Sequence, residues 1–329
     1  MQSHCVFYEK TGPARDVLVL GEMEPRAPEP DEVLVRLRFS GVNPADVKAR
    51  GGAPGRTMPF KRIVPHHDGA GIVEDVGANV DRALIGQPVW LFSAQYQRPF
   101  GTASQYITID RTNVVMLPYN VPLKIGACLG IPVMTAWHAV LNGPPIAGRK
   151  VLVTGGAGAV GHYAVQLARR HGAFVIATVS SDDKAREAKD AGAHVTINYR
   201  DADAIEHAMQ ATGGHGADVI VDVDTTVNAE FIAKIIAQDG HLASYGSSLL
   251  TAQIPVRDFR LRCATMRFMT LYHLSNETLR AIAAGINAIL ETDGLLHRIA
   301  KEFPLSETAA AHEAIECGRI SGKALIRID

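Results

Sequence analysis

Lys150-Val151-Leu152-Val153-Thr154-Gly155-Gly156-Ala157-Gly158-Ala159-Val160-Gly161 is the stretch on which the reading of this chain turns. An apolar run gives way to Gly156-x-Gly158-x-x-Gly161, and a helical pattern follows as far as Gly172. Strand, glycine turn and helix in that order meet three needs of a dinucleotide site: a tight turn, backbone bare enough to touch a pyrophosphate, and a close helix-to-strand crossing. The helix start, at Ala159 and Val160, would offer N–H groups and a partial positive charge to the phosphates. Such a hexapeptide also occurs as a mere tight turn, so its surroundings decide. Val160, Ala164, Leu167 and Ala168 form one stripe at helical spacing, and Gly172 suits the position just past a helix end. Phe174 to Val179 is apolar without alternation, as expected of a strand buried on both faces.

Beyond it the alternation continues: helix 182–191, strand 195–197, helix 202–210, strand 218–223, helix 228–237 and strand 241–245. Repeated strand-helix alternation implies an α/β fold with a doubly wound parallel sheet. Upstream the pattern is different. Val33, Val35, Leu37 and Phe39 alternate with Leu34, Arg36 and Arg38, the mark of a half-buried strand. Further strands are expected at 71–76, 88–91 and 105–108, which makes the first third a largely β domain. Helices at 123–129 and 134–141 are separated by Gly130-Ile131-Pro132. After Tyr245 the sequence predicts a strand at 266–271, an amphipathic helix at 276–290, a helix at 306–317 with Ser306 as its N-cap, and a closing strand at 324–328.

Composition narrows the function. The chain has 329 residues, 33 basic and 34 acidic, so no charge imbalance points to nucleic acid or to an anionic membrane. No uninterrupted run of about 20 apolar residues suggests a membrane span, and the N-terminal residues lack a signal-peptide pattern. Four cysteines, Cys5, Cys128, Cys263 and Cys317, are scattered without a C-x-x-C pair. They read as free thiols in a reducing compartment, and a cytoplasmic location is expected.

Two polar segments interrupt the β-rich third. In Gly41-Val42-Asn43-Pro44-Ala45-Asp46, Asn43 either offers its amide to a substrate or nicotinamide ribose, or simply forms an Asn-Pro turn. In Val64-Pro65-His66-His67-Asp68-Gly69, two histidines and a carboxylate suggest a metal, but neighbours on an extended chain point apart and no further ligand lies at suitable spacing. A pocket, supporting or structural role is therefore expected, with no metal. At the end of the second strand of the alternating region the sequence reads Thr178-Val179-Ser180-Ser181, where a carboxylate would normally hold the adenosine ribose. Ser180, Ser181 and Lys184 would instead suit a 2′-phosphate, so NADPH is the expected cofactor, although Ser181 is also a natural N-cap.

Taken together, these residues resemble the medium-chain dehydrogenase/reductase superfamily, and within it the zinc-independent quinone oxidoreductase, zeta-crystallin-like branch. The resemblance rests on Gly41 to Asp46, Asp68-Gly69-Ala70-Gly71-Ile72-Val73, Gly130-Ile131-Pro132 with Thr135-Ala136, the glycine loop, Ile197-Asn198-Tyr199-Arg200-Asp201, and Gly322-Lys323. It implies a GroES-like β-rich catalytic domain from residues 1–122 and 297–329, and a Rossmann NADPH-binding domain over 123–296. It implies, too, an active site in the cleft between them, with Asn43 and the His66 to Asp68 segment facing the nicotinamide. By the same resemblance Thr135 would contact the nicotinamide, Ser180, Lys184 and Tyr199 the 2′-phosphate and adenosine, and Tyr245, Phe268 and Lys323 other parts of the cofactor.

Zinc-dependent relatives place a cysteine at Asn43, His-Glu at His67-Asp68 and a second cysteine near Ile131, and they carry a cysteine-rich lobe that is missing between Trp90 and Ala103. The expected reaction is therefore hydride transfer from NADPH to a quinone or to the C=C bond of an α,β-unsaturated carbonyl, without zinc. Asn43 would stabilise the developing oxyanion, and His67 or Tyr96 would deliver the proton. Two alternatives stand beside it: an NADPH-binding crystallin-like or RNA-binding protein with little turnover, and a zinc-type alcohol dehydrogenase. The resemblance further implies a homodimer or homotetramer joined through the strand at 266–271. The expected partners are a small-molecule quinone or enone, with no nucleic acid and no membrane.

Overall fold

The computed structural model describes residues 2–55, 57–292 and 294–329. The chain begins with β1 (Ser3–Phe7), α1 (Ala14–Val17), β2 (Val19–Met23), β3 (Glu32–Val42), α2 (Pro44–Gly51), β4 (Asp68–Val76), β5 (Pro88–Leu91), β6 (Tyr106–Asp110) and β7 (Val114–Met116). It continues with α3 (Leu123–Cys128), α4 (Met134–Leu141), β8 (Lys150–Val153), α5 (Ala159–Arg170), β9 (Phe174–Val179), α6 (Asp182–Asp190), β10 (Val195–Asn198), α7 (Ala204–Ala211) and β11 (Ala217–Asp222). It closes with α8 (Thr225–Ile235), β12 (Ile236–Ser244), α9 (Val256–Leu261), β13 (Thr265–Phe268), α10 (Asn276–Glu291), β14 (Ile299–Pro304), α11 (Thr308–Glu316) and β15 (Lys323–Arg327). By its contacts the chain divides into two units, Met1–Ile131 with Ser275–Asp329, and Pro132–Leu274.

In the central unit six strands form one sheet in the order β10-β9-β8-β11-β12-β13, every pairing parallel. The first strand, β8, lies in mid-sheet, and the order reverses between it and β11, the arrangement of a Rossmann fold. Leu152, Ile176, Ile220 and Leu242, one from each of four strands, meet in a buried core. Five of the six residues of β9 are buried, which is why its apolar run does not alternate. Gly172 adopts φ 80° and its N–H closes on Arg169 O, so α5 ends where the glycine permits a left-handed turn. Helix α8 begins at Thr225, earlier than the expected residue 228, because the Asp224 side chain caps it by accepting from Thr226 N.

The outer unit is built on a seven-stranded sheet ordered β14-β15-β3-β4-β5-β7, with β6 also paired to β3. Val33, Val35 and Leu37 are buried as their alternation requires. Phe39 leaves that pattern, since the register with β4 shifts between Leu37 and Phe39 and the bulge turns it half out. The last strand, β15, pairs antiparallel with β3 and parallel with β14, so both ends of the chain build this sheet.

Two helices expected in the nucleotide-binding half, α3 and α10, count by contact with the β-rich unit. Helix α3 packs on β3, β4 and β5. From α10, the Asn287 side chain accepts from Trp90 Nε1 at 3.2 Å and donates to Met116 O at 2.7 Å. The division thus lies at Ile131/Pro132 and Leu274/Ser275, rather than at 122/123 and 296/297. Ser306 does not cap α11 either. It lies in a 3₁₀ turn, Leu305–Glu307, and α11 starts only at Thr308, whose hydroxyl donates to Leu305 O. Leu123–Leu141, which includes a π-helical turn at Leu129–Val133, is long and apolar enough by composition to cross a membrane, yet 72% of its apolar window is buried inside the protein.

Candidate active site

The expected site residues fall into two clusters, one in each unit. In the outer unit the centre is Asp68, the first residue of β4 and fully buried. Its Oδ1 accepts from the backbone N–H of Ile131 at 2.8 Å. Its Oδ2 accepts from Asn43 Nδ2 at 2.8 Å and from Lys323 Nζ at 2.7 Å. Lys323 also donates to Asn43 Oδ1 at 2.6 Å, so one ammonium bridges an amide oxygen and a carboxylate oxygen. Two glycines make room for this. A Cβ on Gly130 would stand 2.2 Å from Asp68 Oδ1, and one on Gly41 would stand 2.6 Å from Lys323 Cε and 2.2 Å from Ala127 O.

Further buried polar groups surround this triad. Asn43 opens α2, and its N–H donates to Asp46 Oδ2 at 2.7 Å. Asp46 Oδ1 sits 3.8 Å from His67 Nε2, both side chains being buried. Burial, followed by repulsion from the Asp68 carboxylate, pushes Asp46 up to about 7. A carboxyl group that titrates near neutrality beside an imidazole can hold or release a proton there. Next to His67, His66 is fully buried with φ 82° and bonds through both ring nitrogens, to Ser40 Oγ and to His312 Nε2.

In the central unit the glycine loop joins β8 to α5. A Cβ on Gly156 would lie 2.6 Å from Ala177 Cβ of β9, and one on Gly161 would lie 2.2 Å from Gly155 O. Both positions thus need glycine for packing, while Gly158 is the N-cap of α5 and has no side chain to cap it. The leading N–H groups of α5, those of Ala159, Val160 and Gly161, have no carbonyl one turn earlier to bond, which is the physical basis of an anion site. At the tip of β9, Lys184 Nζ donates to Ser180 Oγ at 3.0 Å. Ser181 is the N-cap of α6, its Oγ accepting from Lys184 N, so the capping role foreseen for it is present. Tyr199 is half exposed beyond β10, with the Arg200 guanidinium 5.9 Å from its ring centre.

The structure therefore brings Asn43, His67 and Lys323 together, and separately gathers the glycine loop, Ser180, Ser181, Lys184 and Tyr199. Thr135 is buried on α4, Tyr245 follows β12, and Phe268 ends the edge strand β13 with 63% of its surface exposed. Tyr96 sits in a turn, its hydroxyl accepting from Gln97 Nε2 at 3.3 Å. Asn43 commits Oδ1 to Lys323 and one Nδ2 proton to Asp68, so its amide positions those groups.

Asp46, Ser40, Thr102 and His312 were missed. Asp46 had a signal in the Asn-x-x-Asp spacing of a helix start. His312 had none, being 246 residues from the histidine it meets. Of the three positions where zinc-dependent relatives are expected to carry metal ligands, only His67 offers a ligating side chain; Asn43 presents an amide already bonded to Lys323 and Asp68, and Ile131 has no ligating group. No group of three metal-binding side chains occurs among the described residues.

Comparison with known proteins agrees with this architecture. Residues 29–119 match the model of the alcohol dehydrogenase GroES-like domain, and residues 159–286 that of the zinc-binding dehydrogenase family. The quinone oxidoreductase of Sus scrofa is 31% identical over 289 residues, covering 88% of this chain and 86% of that protein. A 2-haloacrylate reductase of a Burkholderia species is 31% identical over 320 residues, covering 94% and 93%. A solved mycobacterial protein complexed with NADPH superimposes with a TM-score of 0.87 at 25% identity, over 99% of both chains. A two-domain dehydrogenase/reductase is what the fold and the nucleotide loop define, and the chain belongs to the quinone oxidoreductase family of the medium-chain dehydrogenase/reductase superfamily.

Proposed function

We propose that this oxidoreductase reduces a quinone, or the C=C bond of an α,β-unsaturated carbonyl, with NADPH and without zinc. The observation that carries the reading is the tip of β9, where Ser180 and Lys184 stand hydrogen-bonded in place of a ribose-binding carboxylate. The glycine loop supports it: Gly156 and Gly161 leave no room for a side chain, so bare backbone and the start of α5 face the place where phosphates bind in such loops. Ser180, Lys184 and Arg200 would hold the 2′-phosphate, Tyr199 the adenosine, and Thr135, Tyr245 and Phe268 further parts of the cofactor. NADPH supplies a hydride when bound.

The chain's own residues then have two tasks. Lys323, held by Asn43 and Asp68, places a fixed positive charge where relatives of the zinc type would carry a divalent ion, and this resident cation argues against a second one. His67, with the Asp46 carboxyl 3.8 Å away, delivers the proton that completes the reduction. Conjugated acceptors suit this chemistry because their developing charge is delocalised and needs less polarisation than a simple ketone. The curated relative named for a haloacrylate, itself an alkene acid, is consistent with that class.

The edge strand β13, with Phe268 exposed at its end, supports assembly of a homodimer or homotetramer. Stopped-flow loss of NADPH absorbance against a panel of quinones, enones, aldehydes and alcohols tests the reading. Turnover of quinones or enones that survives chelators and prefers NADPH to NADH is expected. Zinc-dependent alcohol oxidation, or tight NADPH binding with no turnover on the whole panel, would overturn it.

A further inference from the structure

Four hydrogen bonds within the outer unit run from α11 to β4 through atoms whose donor roles can be assigned one from the next. Thr102 Oγ1 lies 2.6 Å from Asp68 O, and a carbonyl only accepts, so Thr102 spends its single hydroxyl proton there. Ser40 Oγ, 2.7 Å from Thr102 Oγ1, must therefore donate to it. Having used its own proton, Ser40 accepts from His66 Nδ1 at 2.8 Å. A neutral imidazole carries one N–H, so His66 Nε2 is bare and accepts from His312 Nε2 at 2.9 Å. The last atom of the series, His312 Nδ1, is a buried acceptor with no hydrogen-bond partner among the described residues.

The direction is fixed only if His66 is neutral. Burial, followed by the His312 ring and the Lys323 ammonium, holds His66 well below the usual imidazole range. Burial and then Arg50 hold His312 down at about 3. The rings lie edge to edge with centroids 5.1 Å apart and planes inclined by 27°, as a bond between ring nitrogens requires. His66 also holds φ 82°, a left-handed conformation that a non-glycine residue adopts only where its surroundings hold it. Its backbone O accepts from Thr102 N at 3.1 Å, so the residue is pinned on both main chain and side chain.

We propose that His312 is a positioning residue for the reductase site. By donating to His66 it selects the Nδ1–H tautomer, and the resulting one-way series fixes the backbone carbonyl of Asp68. The Asp68 side chain in turn sets Lys323 and Asn43. His312 thus acts on the site from a helix that contributes no group to the reaction itself. The kinetic consequence rests on the reductase reading above; the tautomer does not.

The test has two arms on the full-length protein. Long-range proton–nitrogen NMR of histidine-labelled protein is expected to show His66 as the Nδ1–H tautomer at neutral pH, and an Nε2–H or doubly protonated His66 overturns the proposal. In the second arm, His312→Phe keeps ring bulk and removes the donor, while His312→Gln restores an N–H at the same reach. The Phe variant is expected to lose about tenfold in kcat with the KM for NADPH within about twofold, and the Gln variant to recover most of the loss. Equal activity in both variants, whether retained or lost, overturns the proposal.

Should His312→Phe not fold, Ser40→Ala takes its place. Because His312 still donates to His66 Nε2 in that variant, His66 is expected to stay Nδ1–H, and a switch to the Nε2–H form overturns the assignment of the tautomer to His312. A protein with no turnover on any acceptor contradicts the reductase reading alone, and the nitrogen spectra still decide the tautomer.

Discussion

The two clusters differ in where their polar groups are answered. Around Asp68 every bond is internal: carboxylate to ammonium, amide and backbone N–H, all buried. At the glycine loop and the tip of β9 the groups are less enclosed, since among the described residues the start of α5 has no side-chain cap and Lys184 Nζ donates to a serine hydroxyl, not to a carboxylate. The first cluster is a closed block whose value lies in rigidity, because each charge loses a partner if any member moves. The second is built to be completed by something else. Damage to the first should therefore appear as lost stability, and damage to the second as lost binding.

The largest expected effect follows from breaking the closed block. Lys323→Met leaves the Asp68 carboxylate buried with only the neutral donors Asn43 Nδ2 and Ile131 N–H, and should cost about 3–5 kcal/mol of unfolding free energy by urea titration. A variant within about 1 kcal/mol of the wild type would show that the ammonium is not the partner of Asp68.

Next comes a pH effect confined to the same block. Asp46 is raised to about 7 in the folded protein, so its contribution to stability is full below the ordinary carboxylate value and is lost as pH rises from about 4 through 7. The upper bound is roughly 4 kcal/mol. His66 and His312, both lowered, act in the opposite sense and lose stability as pH falls below their ordinary value of about 6.5. Comparing the wild type with Asp46→Asn removes that background. The Asn variant should gain on the wild type between pH 4.5 and pH 8, and an equal difference at the two values would contradict the assignment.

Effects on the open cluster are smaller and are read in binding. Gly161→Ala places a methyl 2.2 Å from the Gly155 carbonyl, and the loop shift this forces should weaken NADPH roughly 10- to 100-fold by fluorescence titration. Lys184→Ala should cost about tenfold in NADPH affinity and leave NADH unchanged, the loss of one charge-assisted contact. An equal loss for both cofactors would remove Lys184 from the 2′-phosphate and undercut the expected preference.

These differences also explain what could be read without coordinates. The central sheet was legible because its strands and helices alternate in sequence and its nucleotide loop is contiguous, so Gly156, Gly158 and Gly161 carry their own context. Ser180 and Lys184 are four residues apart on one strand end and one helix turn, and their pairing follows from that spacing. The outer cluster joins Asn43 between β3 and α2, the start of β4, Ile131 three residues past α3, and β15, and no local pattern links Asn43 to Lys323 across 280 residues. Phe39 and Ser306 departed from expectation for local reasons, a bulge in β3 and a 3₁₀ turn before α11, which alternation and capping preferences do not foresee. The contacts of Asn43 were not legible, because a buried amide looks the same in sequence whether it faces a ligand or a lysine.

The position of Lys323 in the last strand also bears on the order in which the chain acquires structure during synthesis. The central unit, Pro132–Leu274, is one continuous segment and can fold as soon as it leaves the ribosome. The outer unit, although it begins first, lacks the cation for Asp68 and the strand that pairs with Ser40 and Gly41 until β15 emerges. The unit whose first strands are made earliest is thus completed last, when β15 brings Lys323 to Asp68.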